Sequence, residues 1–181
     1  MHIFELIITS FSLAMDAFAV SICKGITNKK NKIKNSFIIG LSFGIFQAIM
    51  PFLGYHIGNI LSQKIIAFDH YLALILLSII GISMIRENDN ETYNDKITIK
   101  ELTLLSLATS IDALIVGVTL SFLKVNIITS IATIGIITFI TCFIGYNFGS
   151  LIGKKINKNA KIIGGITLII IGIKIFIEHI T

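Results

Sequence analysis

Met15-Asp16-Ala17-Phe18-Ala19-Val20-Ser21 and Ile111-Asp112-Ala113-Leu114-Ile115-Val116-Gly117 each set one aspartate in the middle of a long apolar stretch. An ionised carboxylate at the centre of a hydrocarbon layer costs at least about 2.5 kcal/mol on insertion scales, so two of them in matching surroundings point to a use. Hydrophobic residues make up 54% of the 181 residues and charged ones 14%, and the mean hydropathy is +0.89. These values lie far outside those of soluble domains and place the chain in a membrane. No length remains for a separate soluble domain.

Apolar runs predict six transmembrane helices near 3–23, 36–60, 65–85, 101–123, 127–149 and 162–180. Each is about 20 residues, which at 1.5 Å per residue crosses about 30 Å of hydrocarbon. The expected fold is therefore an all-α membrane protein. The first span reads as a retained helix, because no basic region precedes it and an aspartate interrupts it. Of the 15 Lys and Arg residues, 12 fall in the first, third and fifth connectors and 3 elsewhere. That asymmetry predicts a multi-pass protein of the cytoplasmic (inner) membrane with both termini outside. The net charge of +5 is thus a topology signal, and no nucleic acid is expected as a partner. Cys23 and Cys142 show no CxxC spacing and read as small buried residues.

The two halves repeat. An offset of 96 aligns Asp16 with Asp112, and an offset of 91 aligns Gly54-Tyr55-His56-Ile57-Gly58 with Gly145-Tyr146-Asn147-Phe148-Gly149. The same 91 pairs Gly81 with Gly172 and Glu87 with Glu178. Three helices per unit is an odd number, so the second unit enters the membrane from the opposite side. The expectation is one transporter domain over 1–181, built of two inverted repeats at 1–87 and 100–181 with a cytoplasmic linker at 88–99. Such architectures place their substrate site at mid-membrane between the repeats.

Both aspartates fall about 17 to 20 Å along their helices, near mid-depth. Helical spacing puts Thr9, Ser12 and Asp16 on one face of the first helix, and Thr109, Asp112 and Thr119 on one face of the fourth. Pro51 donates no hydrogen bond to the carbonyl of Gln47, which leaves that residue with a free carbonyl as well as a side-chain amide. Thr138 is its match in the second repeat. The candidate ligands are Asp16 and Asp112, with Gln47, Ser12, Thr109 and Thr138 beside them. An all-oxygen set with two negative charges suits one divalent cation of the Mn, Mg or Ca type better than zinc or copper, and ligand type does not separate the three. When empty, two close carboxylates in a low dielectric favour protons, so exchange of protons for metal is expected.

Other readings compete. A buried aspartate can bond to a neighbouring helix, and Gln47 with Pro51 can mark a kink that only adjusts packing. His56, His70 and His179 fall near the outer ends of helices and read as interfacial residues. Lys174 and Glu178 stand four apart on one helix and read as a pair. An exporter of a small organic solute such as an amino acid is the nearest rival, although no basic residue lies at mid-membrane to receive a carboxylate. A non-transporting membrane scaffold is the third reading. No enzyme motif is present: the chain has no nucleotide-binding loop, no nucleophile elbow and no metal-hydrolase spacing, so no ATPase subunit and no cofactor are evident.

Met15-Asp16-Ala17-Phe18-Ala19, Ser110-Ile111-Asp112-Ala113, Pro51-Phe52-Leu53-Gly54 and Val125-Asn126-Ile127-Ile128 together resemble the bacterial manganese efflux pump family, MntP, over essentially the whole chain. The resemblance implies an inner-membrane exporter of the LysE-type superfamily that removes Mn(II) from the cytoplasm. It also implies that Asp16 and Asp112 are the family's two intramembrane aspartates. Alternating access is the expected mode of transport, with Mn(II) as substrate and protons as the counter-ion.

Overall fold

The computed structural model of the chain describes residues 3–27, 31–61, 98–123 and 125–156, with isolated positions between 75 and 82 and between 166 and 177. The third and sixth expected spans lie for the most part outside these residues, as do His70, His179, Lys174 and Glu178; the isolated positions within the two spans are helical. The described elements are α1 (Ile3–Thr27), α2 (Lys32–Leu61), α3 (Ile99–Thr109), α4 (Ile111–Phe122) and α5 (Ile127–Ile156). Among the described residues, helices α1, α2 and α5 are long and apolar enough to cross a membrane, and α3 with α4, bent by 42° between them, is so only as a pair, in the form of a broken span or of a re-entrant loop. The protein is an all-helical integral membrane protein.

Hydroxyl residues are tolerated in these apolar helices because they satisfy themselves locally. Ser10, Ser21, Thr103, Thr119 and Thr141 each donate to the carbonyl four residues back, at 2.7 to 3.2 Å. The turn into α2 uses Asn31 at φ 48, a left-handed conformation that asparagine accepts more readily than most residues, and its carbonyl takes the Asn35 N–H at 2.9 Å. Helix α5 starts on Asn126, whose Oδ1 accepts the N–H groups of Ile128 and Thr129 at 3.1 and 3.3 Å. That cap satisfies two of the donors a helix start leaves open.

Helix α1 lies along α5, α4 lies along α2, and α2 crosses α5. Glycine sets how close they come. A Cβ on Gly149 would overlap the Ile22 carbonyl, one on Gly54 the Leu114 carbonyl, and one on Gly117 the Pro51 carbonyl. Where α2 crosses α5, Gly44 and Gly135 face one another. Lipid tails are as apolar as leucine, so close backbone packing of this kind holds membrane helices together where the hydrophobic effect does not. The opposite faces carry Phe4, Ile8, Phe11 and Met15 on α1 and Ile136, Ile140 and Ile144 on α5, all exposed and suited to acyl chains.

Two features correct the expected helix map. The fourth span is not one helix: Ser110 takes φ −112 and ψ 4, and both its N–H and its hydroxyl bond to the Leu107 carbonyl at 3.2 Å. This tighter i−3 pattern ends α3 and redirects the chain, so Thr109 and Asp112 do not share one continuous helix face. Lys24, expected in a solvated connector, is the second. Helix α1 continues to Thr27, and Lys24 is buried within it, paired with Glu101 at the start of α3.

Candidate functional site

The break at Ser110 determines how Asp112 is presented. Asp112 occupies the first turn of α4, and its Oδ1 accepts the Ala113 N–H at 2.8 Å. The opening N–H groups of a helix have no intrahelical acceptors and form its positive end, which favours an anion there. The carboxylate is half-buried. Beside it, Ala113 is fully buried in a small cluster with Leu13 of α1 and Ile134 of α5.

Leu13 ties the remaining groups to this level. Its carbonyl accepts the Gln47 amide Nε2 at 2.9 Å, which joins α1 to the middle of α2. Asp16, also half-buried, follows Leu13 by three residues, about 4.5 Å along the axis. One buried cluster thus holds Leu13, three residues before Asp16 on α1, and Ala113, the neighbour of Asp112 on α4.

The neutral oxygens divide into three kinds. Gln47 and Thr138 are completely buried, at 0% exposure, and among the described residues Gln47 Oε1 and Thr138 Oγ1 have no hydrogen-bond partner. Buried polar atoms are nearly always paired, so two orphans at positions related by the 91-residue offset call for an explanation. Thr109 is buried, and its hydroxyl donates to the Leu105 and Ser106 carbonyls at 3.0 and 3.3 Å. Its oxygen still has lone-pair capacity. Ser12 is different: it is exposed, and the structure sets it apart from the buried oxygens.

Among the described residues no group of three His, Cys, Asp or Glu side chains gathers as a metal cluster. His56 is exposed near the end of α2, its ring edge-on to Phe52 at 4.5 Å and to Tyr55 at 5.7 Å. This is an aromatic contact of the kind found at membrane interfaces. Cys23 and Cys142 are free and buried, as their spacing suggested.

Two functional features escaped sequence reasoning. The helix break had a signal, since Ser110-Ile111-Asp112 is a helix-start pattern of an N-cap type residue with an acid in the first turn. It lay inside an apolar run long enough to be read as one span. The Lys24–Glu101 pair joins residues 77 apart in sequence, and no local pattern announces it.

Residues 30–176 match the family described as "Mntp: Putative manganese efflux pump". A protein of Acetivibrio thermocellus named "Putative manganese efflux pump MntP" is 47% identical, covering 97% of this chain and 90% of its own length. One of the same name from Clostridium botulinum strain Loch Maree is 49% identical over 99% of this chain and 96% of its own. A third, from Mannheimia succiniciproducens, is 45% identical over 99% and 98%. No solved structure matches the chain. These relatives are named as transporters and not as enzymes, in keeping with the missing enzyme motifs. With similarity running nearly end to end at close to half identity, the chain belongs to the manganese efflux pump family MntP.

Proposed function

We propose that the protein exports Mn(II) across the cytoplasmic membrane by alternating access, with Asp16 and Asp112 as the charged ligands and protons moving in exchange. The observation that carries a cation site is the pair of buried oxygens, Gln47 Oε1 and Thr138 Oγ1, that have no hydrogen-bond partner among the described residues, with Gln47 tied to Leu13 three residues before Asp16. A passing hard cation supplies the partner that each lacks. Thr109 adds a third neutral oxygen. Choice of manganese among the hard cations rests on the family, whose members are named for it.

Packing supports two inverted three-helix halves. Gly54 meets the Leu114 carbonyl and Gly145 the Phe18 carbonyl, and Gly58 meets Val118 as Gly149 meets Ile22. Offsets of 91 for the glycines and 96 for their partners convert each contact into the other. Gly44 and Gly135, also 91 apart, meet each other, as residues on a two-fold axis must. The lysine distribution supports both termini outside. Lys24 is engaged by Glu101 and is not offered to an organic carboxylate, which favours a metal over an amino acid.

Inverted membrane vesicles test the reading directly. Mn(II) is expected to accumulate in them when an outwardly directed proton gradient is imposed, with Mg, Ca and Zn taken up more slowly; equal uptake with and without the protein rejects export. Thr138→Val provides a second check with opposite signs on two readouts. Removing an unpaired buried hydroxyl should raise metal-free stability by about 1 kcal/mol. The same change should slow manganese flux, and a variant that is more stable with undiminished flux removes Thr138 from the site.

A further inference from the structure

Between the aspartates and one end of the molecule, the space is filled. Ala17, Val20 and Cys23 of α1, Leu102 and Leu105 of α3, and Tyr146 of α5 belong to one buried apolar cluster that α2 completes with Ile39 and Phe43. On α1 this layer begins one residue past Asp16 and ends one residue before Lys24; on α3 it begins one residue past Glu101. Beyond it, the Lys24 ammonium meets the Glu101 carboxylate, with side-chain exposures of 5% and 31%. Toward the aspartates, the Ser42 and Ser106 hydroxyls join α2 to α3 at 2.8 Å.

Helices α1 and α3 otherwise lean on different partners, α1 on α5 and α3 on α2. The ion pair is thus a direct tie between α1, which carries Asp16, and α3, which leads through the break at Ser110 into the helix that carries Asp112. Lys24 lies about 12 Å from Asp16 along α1, and Glu101 about 17 Å from Asp112 along the chain, measured at 1.5 Å per residue. The end they occupy holds the last turns of α1 and α5 and the first turns of α2 and α3. That is the lysine-rich end, which the charge asymmetry assigns to the cytoplasm.

We infer that the structure is closed toward the cytoplasm by a two-layer gate, an apolar plug centred on Val20, Phe43 and Leu105 and an outer Lys24–Glu101 latch. Both layers must part before a cation from the cytoplasm reaches Asp16 and Asp112. The latch suits a gate because breaking a largely buried pair leaves an uncompensated charge, while a partly wet carboxylate on one side lets water take over as the helices separate. This inference rests on the transport reading for its purpose and on the packing alone for its geometry.

Cys23 reports on it without any metal, since its thiol is 1% exposed and lies in the plug beside Lys24. In a Cys142→Ala background, inverted vesicles expose the cytoplasmic end to a membrane-impermeant maleimide. Slow labelling is expected in the parent. Lys24→Met and Glu101→Gln should each speed labelling by about tenfold, because removing one partner releases the latch. The exchanged pair Lys24→Glu with Glu101→Lys should return it toward the parent rate.

Singles that label at the parent rate, or an exchanged pair that labels as fast as the singles, overturn the latch. Each variant is first checked for monodisperse elution and an unchanged melting temperature. For any single that fails this check, Lys24→Arg with Glu101→Asp, which keeps the charges, should label within about twofold of the parent; tenfold acceleration there overturns the assignment too. Labelling that behaves as stated in a protein that moves no manganese sinks the transport reading and leaves the gate standing.

Discussion

Replacing Asp16 or Asp112 with alanine is expected to abolish manganese resistance in cells and manganese flux in vesicles, while the protein reaches the membrane at its normal level. The expected loss is at least about 100-fold, because even changes outside a metal's immediate ligands often cost 10- to 100-fold in affinity or activity. Removing a carboxylate from mid-membrane lowers the barrier to insertion, so poor targeting is not the anticipated cause. Asparagine separates charge from shape. Asp112→Asn keeps an oxygen able to accept the Ala113 N–H and so preserves the start of α4, yet it removes half of the negative charge available to the cation. It should be nearly as inactive as alanine, with a melting temperature close to the parent. Resistance retained in both alanine variants, or full flux in both asparagine variants, would discard the ligand assignment.

The largest expected effect on the fold comes from the glycines that bring backbones together. Gly54→Ala and Gly149→Ala each push a methyl group into a carbonyl of the facing helix, Leu114 in one case and Ile22 in the other. Overpacking in a well-filled interior costs about 1–3 kcal/mol, and it approaches the upper figure where the neighbour is backbone that has no rotamer to adopt. Both variants should therefore melt well below the parent in detergent, or fail to elute as a single species. Gly135→Ala is the contrast. Its added methyl meets Ala48 Cβ and the Gly44 carbonyl at 3.1 Å, a contact that a shift of a few tenths of an ångström relieves. It should lose little stability. The two-fold relation is checked at Gly145→Ala, the counterpart of Gly54→Ala, whose added methyl meets the Phe18 ring and carbonyl at 2.8 and 3.0 Å; a Gly145 variant that melts like the parent argues against it.

Helix content was legible because the membrane imposes it. A chain this apolar satisfies its backbone only within helices or closed barrels, and runs of about 20 apolar residues select helices. Asp16 and Asp112 were visible for the same reason: in a hydrocarbon setting each ionisable residue stands out. Gln47 and Thr138 were harder to see: Gln47 emerged through Pro51 four residues on, and Thr138 only as its match in the repeat. The structure then added what no pattern carries, that the side-chain oxygen of each is buried without a partner.

The sequence erred where a local rule met a tertiary contact. Lys24 counted as a topology lysine because a basic residue at the end of an apolar run ordinarily reaches water; Glu101, 77 residues on, holds it inside instead. Thr109 and Asp112 were placed on one face by assuming an unbroken helix, and the turn at Ser110 separates them. Ser12 shared a helical face with Asp16 by spacing alone, and it lies exposed.

By itself, then, the sequence determined that the protein is helical and membrane-embedded and that two acids stand in its apolar runs, because hydropathy, charge asymmetry and periodicity are properties of a chain in a hydrocarbon layer. Only the tertiary structure decided which helices touch, where the chain breaks at Ser110, which oxygens lie buried without partners among the described residues and that Lys24 pairs with Glu101. Those depend on backbones meeting at glycine and on residues far apart in sequence, and a one-dimensional pattern carries neither.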